Sequence, residues 1–413
     1  MRDLLFLTHR IPYPPNKGDK IRAYHMLRYL QQYFRVHLGA FIDQQDDLRH
    51  AAAPELCACA SNCLITLPVR RARCWSARAL LTGEALSVAY YRHRAMQRWV
   101  RDTLAQHRIT TALAFSGPMG QYLPPSTRHG PLLRVMDLVD VDSEKWRAYA
   151  QQQPWPMAPL YRREAQRLGA HERQIAEQFN HTVLVSPAEA ALLRERAPAA
   201  AAHIDYVNMG VDSAYFSHDA ADMAPHNPYA RYPADPAIVF TGVLDYPPNV
   251  EAVAWFAAQV LPALRQHPRP ASFHIVGARP CIQALALARL PGVYVHANVA
   301  DVRPYLRHAA LAVAPLWLAR GVQSKVLEAM AMQKTVIATP AALEGISAIA
   351  GTEVLVAGDA QAFIAHAGRE LDMPGRLGIA ARQRVLRDYQ WNTNLQRLGR
   401  LLGVEDVLSE QQP

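Results

Sequence analysis

No stretch of this 413-residue chain approaches the roughly 18 consecutive apolar residues that a membrane-spanning helix needs. The first apolar run, Leu4 to Leu7, stops at His9 and Arg10, so the sequence predicts no cleaved leader and a chain that starts at Met1 and stays in water. Cysteine is scarce and odd in number, five in all, with four between Cys57 and Cys74 in no repeating paired spacing. That excludes a disulfide scaffold and fits a reducing compartment, the cytoplasm. Only Cys59 and Cys63 have a zinc-like spacing and no second pair matches it, so free thiols are expected. The glycine signatures of phosphate hydrolysis and redox cofactors are missing as well. There is no Gly-x-x-x-x-Gly-Lys-Ser/Thr, and no Gly-x-Gly-x-x-Gly follows the first strand of either half. Lysine is scarce, so the formal charge of +9 is mostly guanidinium, which suits phosphate-bearing partners. Acids are short in one stretch: Arg70, Arg71, Arg73, Arg78, Arg92, Arg94, Arg98, Arg101 and Arg108 face only Glu84 and Asp102. Anionic lipid, nucleic acid and phosphorylated small molecules would all accept such a surface, as would water alone.

What is present is a long alternation of short apolar runs with amphipathic stretches, half of all residues being hydrophobic. The length predicts two domains, and the continuity of the runs predicts parallel strands buried on both faces, an α/β fold. In the first half the runs are Asp3 to Thr8, Val36 to Phe41, Asn62 to Leu67, Thr111 to Phe115, Leu132 to Asp137 and Thr182 to Ser186. Residues 217–236, with Pro225, Pro228, Pro233 and Pro236 and no sustained period, read as a linker between domains 1–216 and 237–390. The second half repeats the pattern with Ala237 to Thr241, Ser272 to Val276, Val293 to His296, Leu311 to Ala314, Thr335 to Ala338 and Glu353 to Val356. A final helical stretch, about 391–402, has no strand after it and is expected to pack on the first domain.

Two such doubly wound sheets would face each other across a cleft, with ligands at the carboxyl ends of their strands, so the loops there matter most. The first runs from His9 to Lys20, where Gly18 permits close backbone approach at a helix start and His9 stands beside it. The second runs through Arg320-Gly321-Val322-Gln323-Ser324-Lys325 to Glu328. Lys325 and the helix-start amides can neutralise a diphosphate, while Glu328, one turn on, can accept two hydrogen bonds from a ribose diol. A solvated Lys/Glu helix pair is the competing reading.

Taken together these segments resemble the retaining glycosyltransferases of family 4, whose fold is GT-B. The likeness is carried by Lys325 to Thr339, by Gly210-Val211-Asp212 with Phe216, and by Trp391 in the closing helix. Closer still, residues 137–146, Tyr246-Pro247-Pro248-Asn249-Val250 and Ala319-Arg320-Gly321 are similar to sugar transferases linked to exopolysaccharide and PEP-CTERM/exosortase systems. The resemblance implies a nucleotide-sugar donor held by Gly18, Arg320, Gly321, Val322, Gln323, Lys325 and Glu328. It also implies a lipid-linked or saccharide acceptor, no cofactor, no bound metal and no nucleic-acid partner, with the enzyme on the inner face of an anionic membrane.

Three departures from the family stand out. Arg320 occupies the place of a glutamate that commonly pairs with the one matching Glu328, which leaves donor preference open. The loop Thr241 to Tyr246 lacks the usual cations for the diphosphate, and Ala297 stands where a glycine is common. In the first domain Asp137 and Asp140 are the candidate acceptor or catalytic contacts, alongside Lys325, and Asp142-Ser143 reads as a helix N-cap. A nucleotide-sugar epimerase and a non-catalytic partner of the same architecture are the alternative functions.

Overall fold

The computed structural model describes residues 1–124, 131–223, 226–232, 235–319 and 321–405. The chain divides into two compact units, Met1–Met209 with Asn392–Pro413, and Gly210–Trp391. Among the described residues no helix is long and apolar enough to cross a membrane.

The first unit holds seven parallel strands: β1 (Arg2–Thr8), β2 (Phe34–Ile42), β3 (Ser61–Thr66), β4 (Thr111–Phe115), β5 (Leu133–Val139), β6 (His181–Leu184) and β7 (Ile204–Tyr206). Their order is β3-β2-β1-β4-β5-β6-β7. Helices such as Gly18–Leu30, Arg94–Gln106 and Met157–Gln178 supply the crossovers that parallel pairing requires, so the central strands are sealed on both faces; Leu4 to Leu7 have no exposed surface. Strand order reverses between β1 and β4, which opens a crevice beyond their carboxyl ends.

The second unit holds six parallel strands: β8 (Ala237–Thr241), β9 (Ser272–Gly277), β10 (Val293–Ala297), β11 (Leu311–Ala314), β12 (Val336–Ala338) and β13 (Leu355–Val356). They are ordered β10-β9-β8-β11-β12-β13, and here the reversal falls between β8 and β11. Phe240, Phe256, Phe273 and Phe363 fill its core.

The boundary between units falls at Met209 and Gly210, ahead of the proline-rich stretch. The described part of 217–236 packs on the second unit: Tyr229 is buried, its hydroxyl donates to the Tyr305 carbonyl at 2.7 Å, and its ring lies 4.4 Å from that of His274. The returning chain runs beside the outgoing one, the Val211 N–H donating to the Tyr389 carbonyl at 2.8 Å. The closing helix, Trp391–Leu401, then belongs with the first unit. Arg397 Nε donates to Asp205 at 2.8 Å and the Asn394 side chain to the Met209 carbonyl at 3.2 Å.

Candidate functional site

In the second unit the loops that leave β8, β9 and β11 meet at the strand-order reversal. The loop after β8 lies tight against β9. Gly242 N–H donates to the Val276 carbonyl at 3.0 Å and Leu244 N–H to the Ala278 carbonyl at 2.8 Å. This approach depends on Gly277, because a β-carbon there would stand 1.7 Å from the Gly242 oxygen. The loop carries no cation of its own, but Arg279, beyond β9, pairs with Asp245 at 3.1 Å. The helix Pro247–Gln259 follows, and its third residue, Asn249, is buried. Asn249 donates to the Val243 carbonyl at 2.8 Å and accepts at Oδ1 from Lys325 Nζ at 2.5 Å.

Lys325 comes from the loop after β11. There Gly321 is buried at φ +69°, a left-handed conformation that disfavours any side chain, and the Gln323 amide donates to the Gly321 carbonyl at 3.2 Å. The helix Ser324–Ala331 then begins, anchored through buried Val326, Leu327, Ala329, Met330 and Ala331, and no Gln323 side-chain bond caps its start. Its opposite face carries Lys325 and Glu328, one turn apart and both half-buried. The Lys325 ammonium lies 4.9 Å from the centre of the Phe240 ring. Burial pushes Lys325 down to about 8, against the pull of Glu328, and pushes Glu328 up to about 7, against the pull of Lys325. Among the described residues the Glu328 carboxylate has no hydrogen-bond partner, and Lys325 has only a neutral amide. A cation lacking a full counter-charge beside a vacant carboxylate suits a ligand with an anionic group and a hydroxyl pair.

Of the residues expected here, Gly321, Val322, Gln323, Lys325 and Glu328 come together on one loop and helix start. Arg320 lies outside the described residues. Gly18 is on the first unit, exposed at the start of Gly18–Leu30, with open space where a β-carbon would go. Asn249 entered the sequence reading only within the resemblance of residues 246–250, with no contact assigned to it, and Gly277 not at all. Their partners lie 76 and 35 residues away, and only the fold joins them.

The first unit corrects two expectations. Asp137 is wholly buried, 2.8 Å from equally buried Arg22, and accepts the Val139 N–H at 2.8 Å; with no surface left, it can touch no acceptor. Asp142 is the first helical residue of Asp142–Gln152, not its N-cap. The helix-start amides are served instead by carboxylates from other helices. Glu189 accepts from Val141 at 2.6 Å, and Glu172 accepts from Ser143 at 3.0 Å, with burial pushing Glu172 up to about 8. Asp140, by contrast, lines a cavity, 3.6 Å from Lys145. The five cysteines are free thiols.

Residues 235–372, within the second unit, match the family described as glycosyl transferases group 1. The second unit is thus similar to the group 1 glycosyltransferases. The fold of the whole chain is GT-B, shared over the full length of solved structures at low identity. Sucrose-phosphate synthase from Thermosynechococcus elongatus is 16% identical, with all of both chains covered and a TM-score of 0.70. Anabaena HepE, solved with UDP and glucose, is 12% identical over 98% of this chain and 100% of that chain, at 0.63. WaaG, a glycosyltransferase involved in lipopolysaccharide biosynthesis, is 15% identical over 97% and 100%, at 0.65. No curated protein sequence matches.

Proposed function

We propose that this protein is a glycosyltransferase that takes its sugar from a nucleotide diphosphate donor held by the second unit and passes it, with retention, to a hydroxyl of a lipid-linked exopolysaccharide precursor. The observation that carries the donor reading is the Lys325 and Glu328 pair at a helix start beside Gly321, at the strand-order reversal. Lys325 stabilises the charge that grows on the departing diphosphate, and Glu328 accepts from the ribose diol. The bonds to the leaving group strengthen as the glycosidic bond breaks, so Lys325 acts mainly on turnover. HepE, of similar fold, binds UDP and glucose. The acceptor class rests on the resemblance of residues 137–146 and 246–250 to exopolysaccharide transferases, and the anionic membrane face on the arginines between 70 and 108.

The test is calorimetry with UDP and uridine, followed by transfer from labelled nucleotide sugars to isolated lipid acceptors. Binding of UDP that weakens in Glu328→Ala, with a normal melting curve, supports the donor site. Unchanged affinity in that variant overturns it. An epimerised donor instead of transfer would mark an isomerase, and binding without turnover a non-catalytic partner.

A further inference from the structure

The first unit contains a cavity of about 340 Å³ beyond the carboxyl ends of β1, β4 and β5, reached by His9, Ser116, Asp140, Lys145, Trp146 and Tyr149. It sits where strand order reverses, and its size is near the lower end for small-molecule sites, roughly 300 to 1,000 Å³. We infer that this cavity holds one neutral sugar ring of the acceptor, with Asp140 and His9 accepting hydrogen bonds from its hydroxyls. This deepens the transferase reading by naming the chemical class of the acceptor's terminal residue.

Unmet hydrogen bonding is the first argument. His9 Nδ1 and Asp140 Oδ1 are buried atoms without a partner among the described residues. His9 Nε2 lies 3.1 Å from Asp19, so in the neutral ring that nitrogen donates and Nδ1 is left as an acceptor. Two acceptors in one cavity call for a ligand that donates twice, and a polyol does so.

Charge decides which polyol. The cavity's cations are already matched: Arg10 lies 2.6 Å from Asp19 and 2.7 Å from Asp43, and Lys145 lies 2.9 Å from Asp142 and 3.6 Å from Asp140. With four carboxylates around two cations, no positive charge is left for a phosphate or a uronate, and an anionic ligand would meet repulsion. Tyr91, Trp146 and Tyr149 supply apolar ring faces for the C–H surface of a sugar.

The backbone is bent to present these groups. Ser116 and Val139 leave β4 and β5 at φ +74° and +71°, and a β-branched residue rarely adopts that conformation. Val139 is held there by its N–H bond to Asp137, itself clamped by Arg22, and the next residue is Asp140. The buried pair thus aims Asp140 into the cavity.

Saturation-transfer NMR with the methyl glycosides of glucose, galactose and mannose, against glucuronate and glucose 6-phosphate, tests this on the full chain. At least one neutral glycoside should bind, the two anions at least tenfold more weakly, and Asp140→Ala should lower the glycoside affinity at least tenfold with its melting curve kept. Trp146 packs on Ala85, Val88 and Leu168, so Trp146→Phe is preferred to Trp146→Ala as the second variant and should also weaken binding. Absence of glycoside binding, tighter binding of either anion, or unchanged affinity in Asp140→Ala overturns the inference. UDP calorimetry on the same samples separates it from the donor reading: glycoside binding without UDP binding keeps this cavity and costs the donor site, and the reverse outcome costs only the cavity.

Discussion

Lys325 donates its ammonium hydrogen bond to Asn249 at 2.5 Å, joining the helix after β11 to the helix after β8. Asn249 also holds the Val243 carbonyl, so one amide secures both the charge and the loop beside it. Asn249→Ala should therefore leave a buried ammonium and a carbonyl unpaired. A loss of about 2 kcal/mol of stability is expected, together with weaker binding of UDP than of uridine relative to the unaltered protein. Thermal melting and calorimetry read the two effects, and a variant that melts normally with unchanged affinity for both ligands would remove Asn249 from the site.

The same pair predicts a pH profile. Lys325 is protonated below about 8 and Glu328 ionised above about 7, both values set chiefly by burial. As pH rises through 8 the free protein loses the cation proposed to meet the diphosphate; as it falls through 7 the carboxylate proposed to meet the diol gains a proton. UDP affinity should thus be greatest between these values and fall on either side. Lys325→Arg should remove the alkaline limb, because a guanidinium stays charged, and leave the acid limb in place. Calorimetry from pH 6 to 9 checks it, and a flat profile would contradict this assignment.

The sheets were legible because parallel strands buried on both faces must be continuously apolar. Thr111–Phe115, Ala237–Thr241 and Leu311–Ala314 have the very bounds their composition suggests. The edge strand β7 was not, since three residues carry no period, while β13 keeps only the last two residues of the run Glu353 to Val356. Lys325 and Glu328 could be paired on paper because helical geometry places residues three apart on one face. Asn249 could not, and neither could the division of labour between Asp137 and Asp140. That division depends on Val139 turning left-handed, which no propensity of valine foretells.

Arg22 and Asp137 offer a test of positioning against catalysis. Both are fully buried and 115 residues apart in sequence, so Arg22→Ala should strand a carboxylate and cost about 3 to 5 kcal/mol. Arg22→Met combined with Asp137→Leu should recover much of that stability, yet still lose the bond that holds Val139. Sugar binding at the Asp140 cavity should then stay weak in a folded protein, while UDP affinity is unchanged. Full glycoside affinity in the folded double variant would show that Asp137 positions nothing.

Membrane attachment is the finest part of the proposed function, and the structure narrows where to look. Of the arginines between 70 and 108, Arg92 is taken by Glu84 and Arg101 by Asp102. Arg70, Arg73 and Arg78 are exposed and have no acidic partner among the described residues. They lie on or beside the helices Val69–Ala77 and Ala79–Thr82, with Trp75 58% and Leu81 91% exposed among them and the Arg78 guanidinium 4.7 Å from the Trp75 ring centre. Tryptophan and leucine ringed by arginine suit the headgroup boundary of an anionic leaflet. Each arginine there contributes about 1 kcal/mol, screened beyond a Debye length of about 8 Å at physiological salt. Co-sedimentation with phosphatidylserine vesicles should therefore be strong at low salt and fall steeply at high salt, with little binding to neutral vesicles. Arg70→Gln, Arg73→Gln and Arg78→Gln together should remove the salt-sensitive part, and Trp75→Ala with Leu81→Gln the remainder, while UDP affinity stays unchanged because Lys325 and Glu328 belong to the second unit and these residues to the first. Equal binding to neutral and anionic vesicles would rule out the electrostatic contribution, and no binding to either would return these arginines to the role of a solvated face.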